Sequence, residues 1–266
     1  MEQSKIINKS CYVAGIRIDS STYDSATDQI KNLAKSEKGF FICIGNAHVV
    51  AEAGKNPDFK KIINSAELVT SDGLPLLWAL KLFGAKKSRR VTGTTLTFYL
   101  CKMAEKFNIP IGFYGGKEET LELLVRELKT KFPSLNIAYS FSPPFRDLND
   151  QEDMKIVREI KASGAKIIFV GLGCPKQEKW AANNKDRIPA VIVTIGAAFD
   201  FISGTLKRAP EWMQNLGLEW FFRFAQEPRR LWKRYLVGNT IFIYILLKEI
   251  LRTKIFKFKP IKEVGK

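Results

Sequence analysis

The residues best suited to chemistry lie in one stretch of the 266-residue chain, Val69–Thr95. Asp72 stands beside Gly73, between apolar segments. It marks what reads as a junction from a short strand (67–70) to a helix whose first turn would hold Pro75. A carboxylate there can face a ligand and take a proton from a hydroxyl as general base. It can equally cap the helix, because Asp is a favoured N-cap; position alone leaves the two readings level. Further on, Arg89 and Arg90 precede Val91-Thr92-Gly93-Thr94-Thr95, which opens another helix. Amides at a helix start suit phosphate, so Arg90 and the Thr94 turn are expected near a phosphorylated substrate. Capping by the threonines, and solvation of the arginines, would explain the same residues.

A second glycine turn, Gly171-Leu172-Gly173-Cys174-Pro175-Lys176-Gln177-Glu178, follows the apolar strand KIIFV. The backbone at Gly173 and the helix start beyond it offer unpaired N–H groups to a phosphate. Gln177 and Glu178 can hydrogen-bond a base or ribose, though a tight turn alone would account for the glycines. The third glycine of a dinucleotide fingerprint and the Gly-Lys-Ser/Thr of a P-loop are missing. That argues against a nucleotide-sugar epimerase or dehydrogenase. His48 is the single histidine and has no Cys/His/Asp cluster around it, so no metal site is expected. No Asp-x-Asp pair is present to grip a cation bridging a diphosphate, and no G-x-S-x-G elbow.

These groups need a frame. Apolar runs of strand length (40–44, 166–170, 191–195) alternate with amphipathic helices, among them 23–34, 57–64 and 117–132. Glycines follow the strand ends. This predicts an α/β fold with a mostly parallel, doubly wound, Rossmann-like sheet, which binds ligands outside the carboxyl ends of its strands. Asn46, Asp72, Gly115-Gly116, Gly171–Gln177 and Gly196–Asp200 then share one rim. From Ala209 on only helices are expected, which divides the chain into a core (1–208) and a helical, basic, aromatic appendage (209–266).

Charge follows that division. The net charge is +16, and half of it falls between Arg223 and Lys259. Around Pro228, Arg229, Arg230, Lys233 and Arg234 share one helical face, while Leu231, Trp232, Tyr235 and Leu236 share the other. The apolar run 235–247 would cover about 20 Å as a helix, short of a bilayer core of roughly 30 Å. It is therefore expected to lie on an anionic membrane surface. A non-enzymatic nucleic-acid-binding protein is the rival reading of the charge. The basic residues accompany long apolar runs, however, and no nucleic-acid-binding motif is evident, so no nucleic-acid partner is expected. Four scattered cysteines predict neither disulfides nor zinc and suit a reducing cytosol. No apolar core of a signal peptide is seen in the first twenty residues. The sequence leaves homo-oligomerisation open.

GNAHVV, the SAELVTSDGLPLLWALK block, RRVTGTTL, GFYGG, VGLGCPKQEKW and the stretch from Thr194 to Leu236 occur in one order. Together they resemble the WecG/TagA/CpsF glycosyltransferase family across approximately Val13–Tyr244. The resemblance implies transfer of a sugar, such as N-acetylmannosamine or its uronic acid, from a UDP-sugar to an undecaprenyl-diphosphate-linked sugar. It implies inversion at the cytoplasmic membrane face, with no metal and no cofactor. It places the catalytic aspartate on Asp72 and donor-side residues on Asn46, Arg90 and Gln177. The arginines that grip the lipid diphosphate fall on Arg223 and Arg230, with Lys233 at a third basic position. Many members carry threonine where this chain has Ile44, a difference on the donor side.

Overall fold

The structure, a computed structural model, describes residues 9–256 and 261–263. The side chains of Lys9, Arg234 and residues 252–256 and 261–263 fall outside the described set, as does the end of the basic tract at 257–260. The elements run β1 (Lys9–Val13), β2 (Ile16–Asp19), α1 (Tyr23–Leu33), β3 (Phe40–Gly45), α2 (Ala47–Lys55), α3 (Pro57–Asn64), β4 (Leu68–Ser71) and α4 (Leu74–Leu82). They continue with α5 (Gly93–Phe107), β5 (Ile111–Gly115), α6 (Glu118–Lys131), β6 (Ile137–Phe141), α7 (Asp150–Ser163), β7 (Ile167–Gly171), α8 (Lys176–Asn184) and β8 (Val191–Thr194). Last come α9 (Ala198–Ile202), α10 (Glu211–Asn215), α11 (Glu219–Gln226), α12 (Pro228–Phe256) and β9 (Ile261–Glu263).

Six strands form one parallel sheet in the order β4-β3-β8-β7-β5-β6. Its strands are apolar on both faces because both faces are covered. Phe41, Cys43, Ile168, Val170 and Ile192 point into one core, with residues of α2, α3, α4, α7 and α8. Ile42, Ile44, Ile167, Phe169, Val191 and Val193 point into the other, with α1, α5, α6 and α9. Alternation at period two thus builds the doubly wound arrangement directly.

The N-terminal stretch precedes the six-stranded sheet in sequence. It is a hairpin, β1 against β2, turned by Ala14 (φ 57°) and Gly15 (φ 75°). Two consecutive left-handed residues match the right-handed twist of the strands. Ala-Gly is a weak signal for that turn, because Ala carries a Cβ into the left-handed region. Asp19 anchors the hairpin to the sheet. Its buried carboxylate accepts from Ser10 Oγ (2.6 Å) and Val69 N (2.8 Å) and pairs with Arg17 Nε (3.1 Å).

The C-terminal region departs from expectation. Gly217 (φ 76°) lies between α10 and α11. Helices alone do not follow Ala209, for β9 pairs antiparallel with β1. The apolar run 235–247 belongs to one helix of 29 residues, about 43 Å long. Among the described residues no helix is long and apolar enough to cross a membrane. Helix α12 lies along α2. A Cβ on Gly54 would stand 2.8 Å from Ile245 Cδ1, so the missing side chain sets how closely the helices approach. Leu231 and Phe242 are buried, whereas Trp232, Leu236, Ile243, Tyr244 and Leu247 stay exposed.

Replacing Asp19 by Ala leaves the buried Val69 N–H and the Ser10 hydroxyl without their acceptor. The expected loss is about 2–4 kcal/mol in denaturant unfolding. A loss below about 0.5 kcal/mol would mean that the hairpin is not anchored through this carboxylate.

Candidate active site

At the carboxyl end of the sheet the backbone sets Asp72 in place before its side chain does anything. Asp72 N donates to Gly45 O (2.7 Å), carrying the β3–β4 ladder one residue past the strand. Val91 N donates to Ser71 O (2.9 Å), Thr70 Oγ1 to Val91 O (3.4 Å) and Ser71 Oγ to Arg89 O (3.3 Å). The 89–92 segment is thereby tied beside β4. The N-cap of α4 is Gly73, with no side-chain cap bond. Asp72 is therefore not the helix cap, and its carboxylate is free for another task.

Arg90 is the group nearest that carboxylate. Its Nε donates to Asp72 O (2.6 Å), its NH2 lies 3.7 Å from Asp72 Oδ1, and the same NH2 pairs closely with Glu219 Oε2 at the start of α11. Burial pushes the Asp72 carboxyl up to about 6. Arg90, Arg208 and Arg223 pull it back down, and Glu219 adds to the rise. Desolvation wins because the Arg90 contact is a long one and Glu219 holds the same nitrogen.

Around Asp72 opens a cavity of about 1010 Å³. Asn46, Asp72, Thr94, Gly173, Gln177, Glu178, Arg223, Arg230 and Lys233 all line it, so loops far apart in sequence meet in one place. Arg90 is not among the lining residues; its contacts are with Asp72 and Glu219. Asn46 caps α2, its Oδ1 accepting from His48 N (3.0 Å) and Val49 N (3.1 Å). Thr92 caps α5, accepting at Oγ1 from Thr95 N (3.3 Å), and leaves Gly93 and Thr94 facing the cavity. Buried Gln177 gives its amide to Glu178 Oε1 (2.7 Å), while its own buried Oε1 accepts no hydrogen bond among the described residues.

Among the cavity residues that the sequence does not single out are Arg208, Glu219 and Glu227, whereas Asp200 lies on the expected rim. Arg208 reaches Thr92 Oγ1 (3.4 Å) and Thr95 Oγ1 (3.5 Å), and its buried Nε has no hydrogen-bond partner among the described residues. The Asp200 carboxyl is raised by burial, with Arg230 the largest opposing charge. Glu227 lies 3.8 Å from Arg223 and also pairs with Arg230. Glu219 completes the group. Arg208 and Asp200 follow the last strand of the sheet, where the rim rule had already placed 196–200. Glu219 and Glu227 gave no sequence signal, because acids in a basic segment read as solvated.

A doubly wound sheet with a polar cavity over its carboxyl ends, holding a half-buried carboxylate among guanidinium groups, defines an α/β enzyme. Residues 11–255 match the model of the Glycosyl transferase WecG/TagA/CpsF family, and the chain belongs to that family. It is similar to the N-acetylglucosaminyldiphosphoundecaprenol N-acetyl-beta-D-mannosaminyltransferase of Bacillus subtilis (strain 168), 30% identical over 88% of this chain and 89% of that protein. The protein of the same name from Bacillus spizizenii (strain ATCC 23059 / NRRL B-14472 / W23) is 31% identical over 75% of this chain and 76% of its own length.

The sign of the Asp72 shift has a stability consequence. A carboxyl raised on folding favours the fold while protonated, and that contribution is lost as pH rises through about 6. At pH 7.5 the fold therefore carries an unfavourable buried charge. Asp72→Asn is expected to be more stable than wild type at pH 7.5, by about 1–3 kcal/mol in denaturant unfolding, with the gain vanishing near pH 4. A destabilised variant at pH 7.5 would show that the Arg90 contact outweighs burial.

Proposed function

We propose that this glycosyltransferase moves an N-acetylhexosamine, N-acetylmannosamine or a related sugar, from a UDP-sugar to an undecaprenyl-diphosphate-linked sugar. The product belongs to cell-surface polysaccharide or teichoic acid synthesis. The observation that carries the reading is Asp72, a carboxylate raised to about 6, set in the cavity and excluded from helix capping. The names of the two Bacillus relatives supply the acceptor class and the transferred sugar.

In one displacement the acceptor hydroxyl gives its proton to Asp72 as its oxygen bonds to the anomeric carbon. The bond from that carbon to the diphosphate oxygen breaks, and UDP leaves with the electron pair. Attack from the face opposite the leaving group inverts the anomeric centre. Negative charge grows on the diphosphate and needs donors already in place. Arg208, with its unpartnered Nε, and the first amides of α5 at Gly93 and Thr94 stand where they can meet it, so the scheme calls for no metal. Arg90, read from sequence as a donor-side cation, acts in this scheme through Asp72. Asn46, Gly173, Gln177 and Glu178 bind the nucleoside and sugar, the free Gln177 Oε1 taking a donor from base or ribose. Arg223, Arg230 and Lys233, brought by α11 and α12, hold the lipid diphosphate.

The exposed face of α12 suits a protein lying peripherally on the cytoplasmic side of the membrane. Leu236, Ile243, Tyr244 and Leu247 are apolar and exposed, and Arg229, Lys233 and Lys248 are exposed cations of the same helix. Each cation near anionic lipid contributes on the order of 1 kcal/mol.

Asp72→Asn should reduce UDP release with a prenyl-diphosphate-linked N-acetylglucosamine acceptor by about 10²–10⁴-fold. UDP-sugar binding by calorimetry should stay within about threefold of wild type. Near-wild-type turnover would remove Asp72 from the mechanism. For the membrane reading, Leu236→Glu with Leu247→Glu is expected to release the protein from phosphatidylglycerol vesicles in sedimentation. Undiminished sedimentation would mean that α12 is not the docking surface.

A further inference from the structure

The contact that joins α11 to the base is not explained by acceptor binding. Glu219 is the first residue of α11, and Arg223, one turn on, lines the cavity with its buried Nε unpartnered among the described residues. Gly217 lets the chain turn into α11 close to α4, since a Cβ there would lie 3.4 Å from Leu74 Cδ1. The turn that leads into α11 therefore lies against the start of the helix that follows Asp72. Arg90 shares one nitrogen between Glu219 Oε2, in close contact, and Asp72 Oδ1, at 3.7 Å. The three side chains are only 20–29% exposed, so solvent screens the contest weakly.

We infer that Glu219 is a positioning residue for Asp72: by holding the Arg90 guanidinium it keeps the carboxylate out of a full ion pair, and it does so only while α11 is seated. This rests on the reading of Asp72 as the general base. A carboxylate locked to Arg90 would be a weaker base, because the ion pair stabilises the charged form. With Glu219 in place the base keeps its proton affinity, and the segment bearing the acceptor-gripping Arg223 is the one that delivers Glu219. Base strength and acceptor site thus depend on residues of one helix. The charged groups facing Asp72 are Arg90, Glu219, Arg208 and Arg223, and among them Glu219 is the one whose charge supports the raised carboxyl.

The test uses full-length Glu219→Gln and Glu219→Asp, with kcat, acceptor KM and the pH profile of kcat/KM from UDP release. Gln keeps the size of Glu and a hydrogen-bond acceptor for Arg90 but loses the charge. The acid limb of its profile is expected at lower pH than wild type. Its kcat should fall about tenfold with acceptor KM changed less than about threefold. Glu219→Asp, charged but shorter, should fall between, and carries the test if the Gln variant does not fold. An unshifted acid limb, with only acceptor KM raised, would reduce Glu219 to an attachment point for α11 and overturn the inference. If Asp72→Asn retains activity, the general-base reading fails first. If that variant is inert and the Glu219 limb is unshifted, only this inference fails.

Discussion

One guanidinium shared by two carboxylates is the interaction on which the site depends. Arg90 bonds the Asp72 carbonyl, reaches its carboxylate at long range and pairs closely with Glu219. Were Asp72 solvated, the pairing would be a weak surface contact and its carboxyl would titrate in the usual range. Burial changes the balance. It raises the carboxyl to about 6, and three arginines bring that rise only part of the way back. The half-buried carboxylate is held in place because the backbone of residues 70–72 is bound on both sides, to β3 and to the 89–92 segment. The sheet supplies the rigidity that holds the carboxylate beside Arg90.

The same logic extends outward. Parallel strands buried on both faces end together, so their following loops converge over one edge and need no further device to meet. The C-terminal segment completes the enclosure, α11 by reaching Arg90 and α12 by lying along α2 where Gly54 leaves room. Relatives at 30% and 31% identity bear names that join N-acetylmannosamine to a diphosphoundecaprenol-linked sugar. An acceptor of that kind is amphiphilic, and α12 presents exposed apolar and basic side chains on one helix.

Much of this was legible in the chain. The apolar runs at 40–44 and 166–170 had to be strands buried on both sides, and the glycines after them marked the rim. α3 was placed at its observed ends, Pro57 and Asn64, because Pro at the helix start and a regular apolar period agree. Motifs brought Asn46, Asp72, Thr94, Gly173 and Gln177 to one edge, and the cavity joins them. What the sequence hid were relations between distant residues. Ala14-Gly15 does not announce a hairpin, and nothing local says that β9 pairs with β1. Position alone leaves Asp72 level between cap and base, and the structure gives the cap position to Gly73. Arg90 read as a cation for phosphate, yet it faces two carboxylates, a fact that depends on Glu219 arriving from more than a hundred residues away.

The central claim is that the half-buried Asp72 carboxylate, raised by desolvation, is the base of the transfer. Its most direct test is the pH dependence of kcat/KM for transfer by the wild-type protein. The account predicts activity that rises with pH through a single ionisation near 6 and then levels, as the carboxyl loses its proton. A profile flat from pH 5 to 8, or one whose acid limb lies near 4, would contradict it.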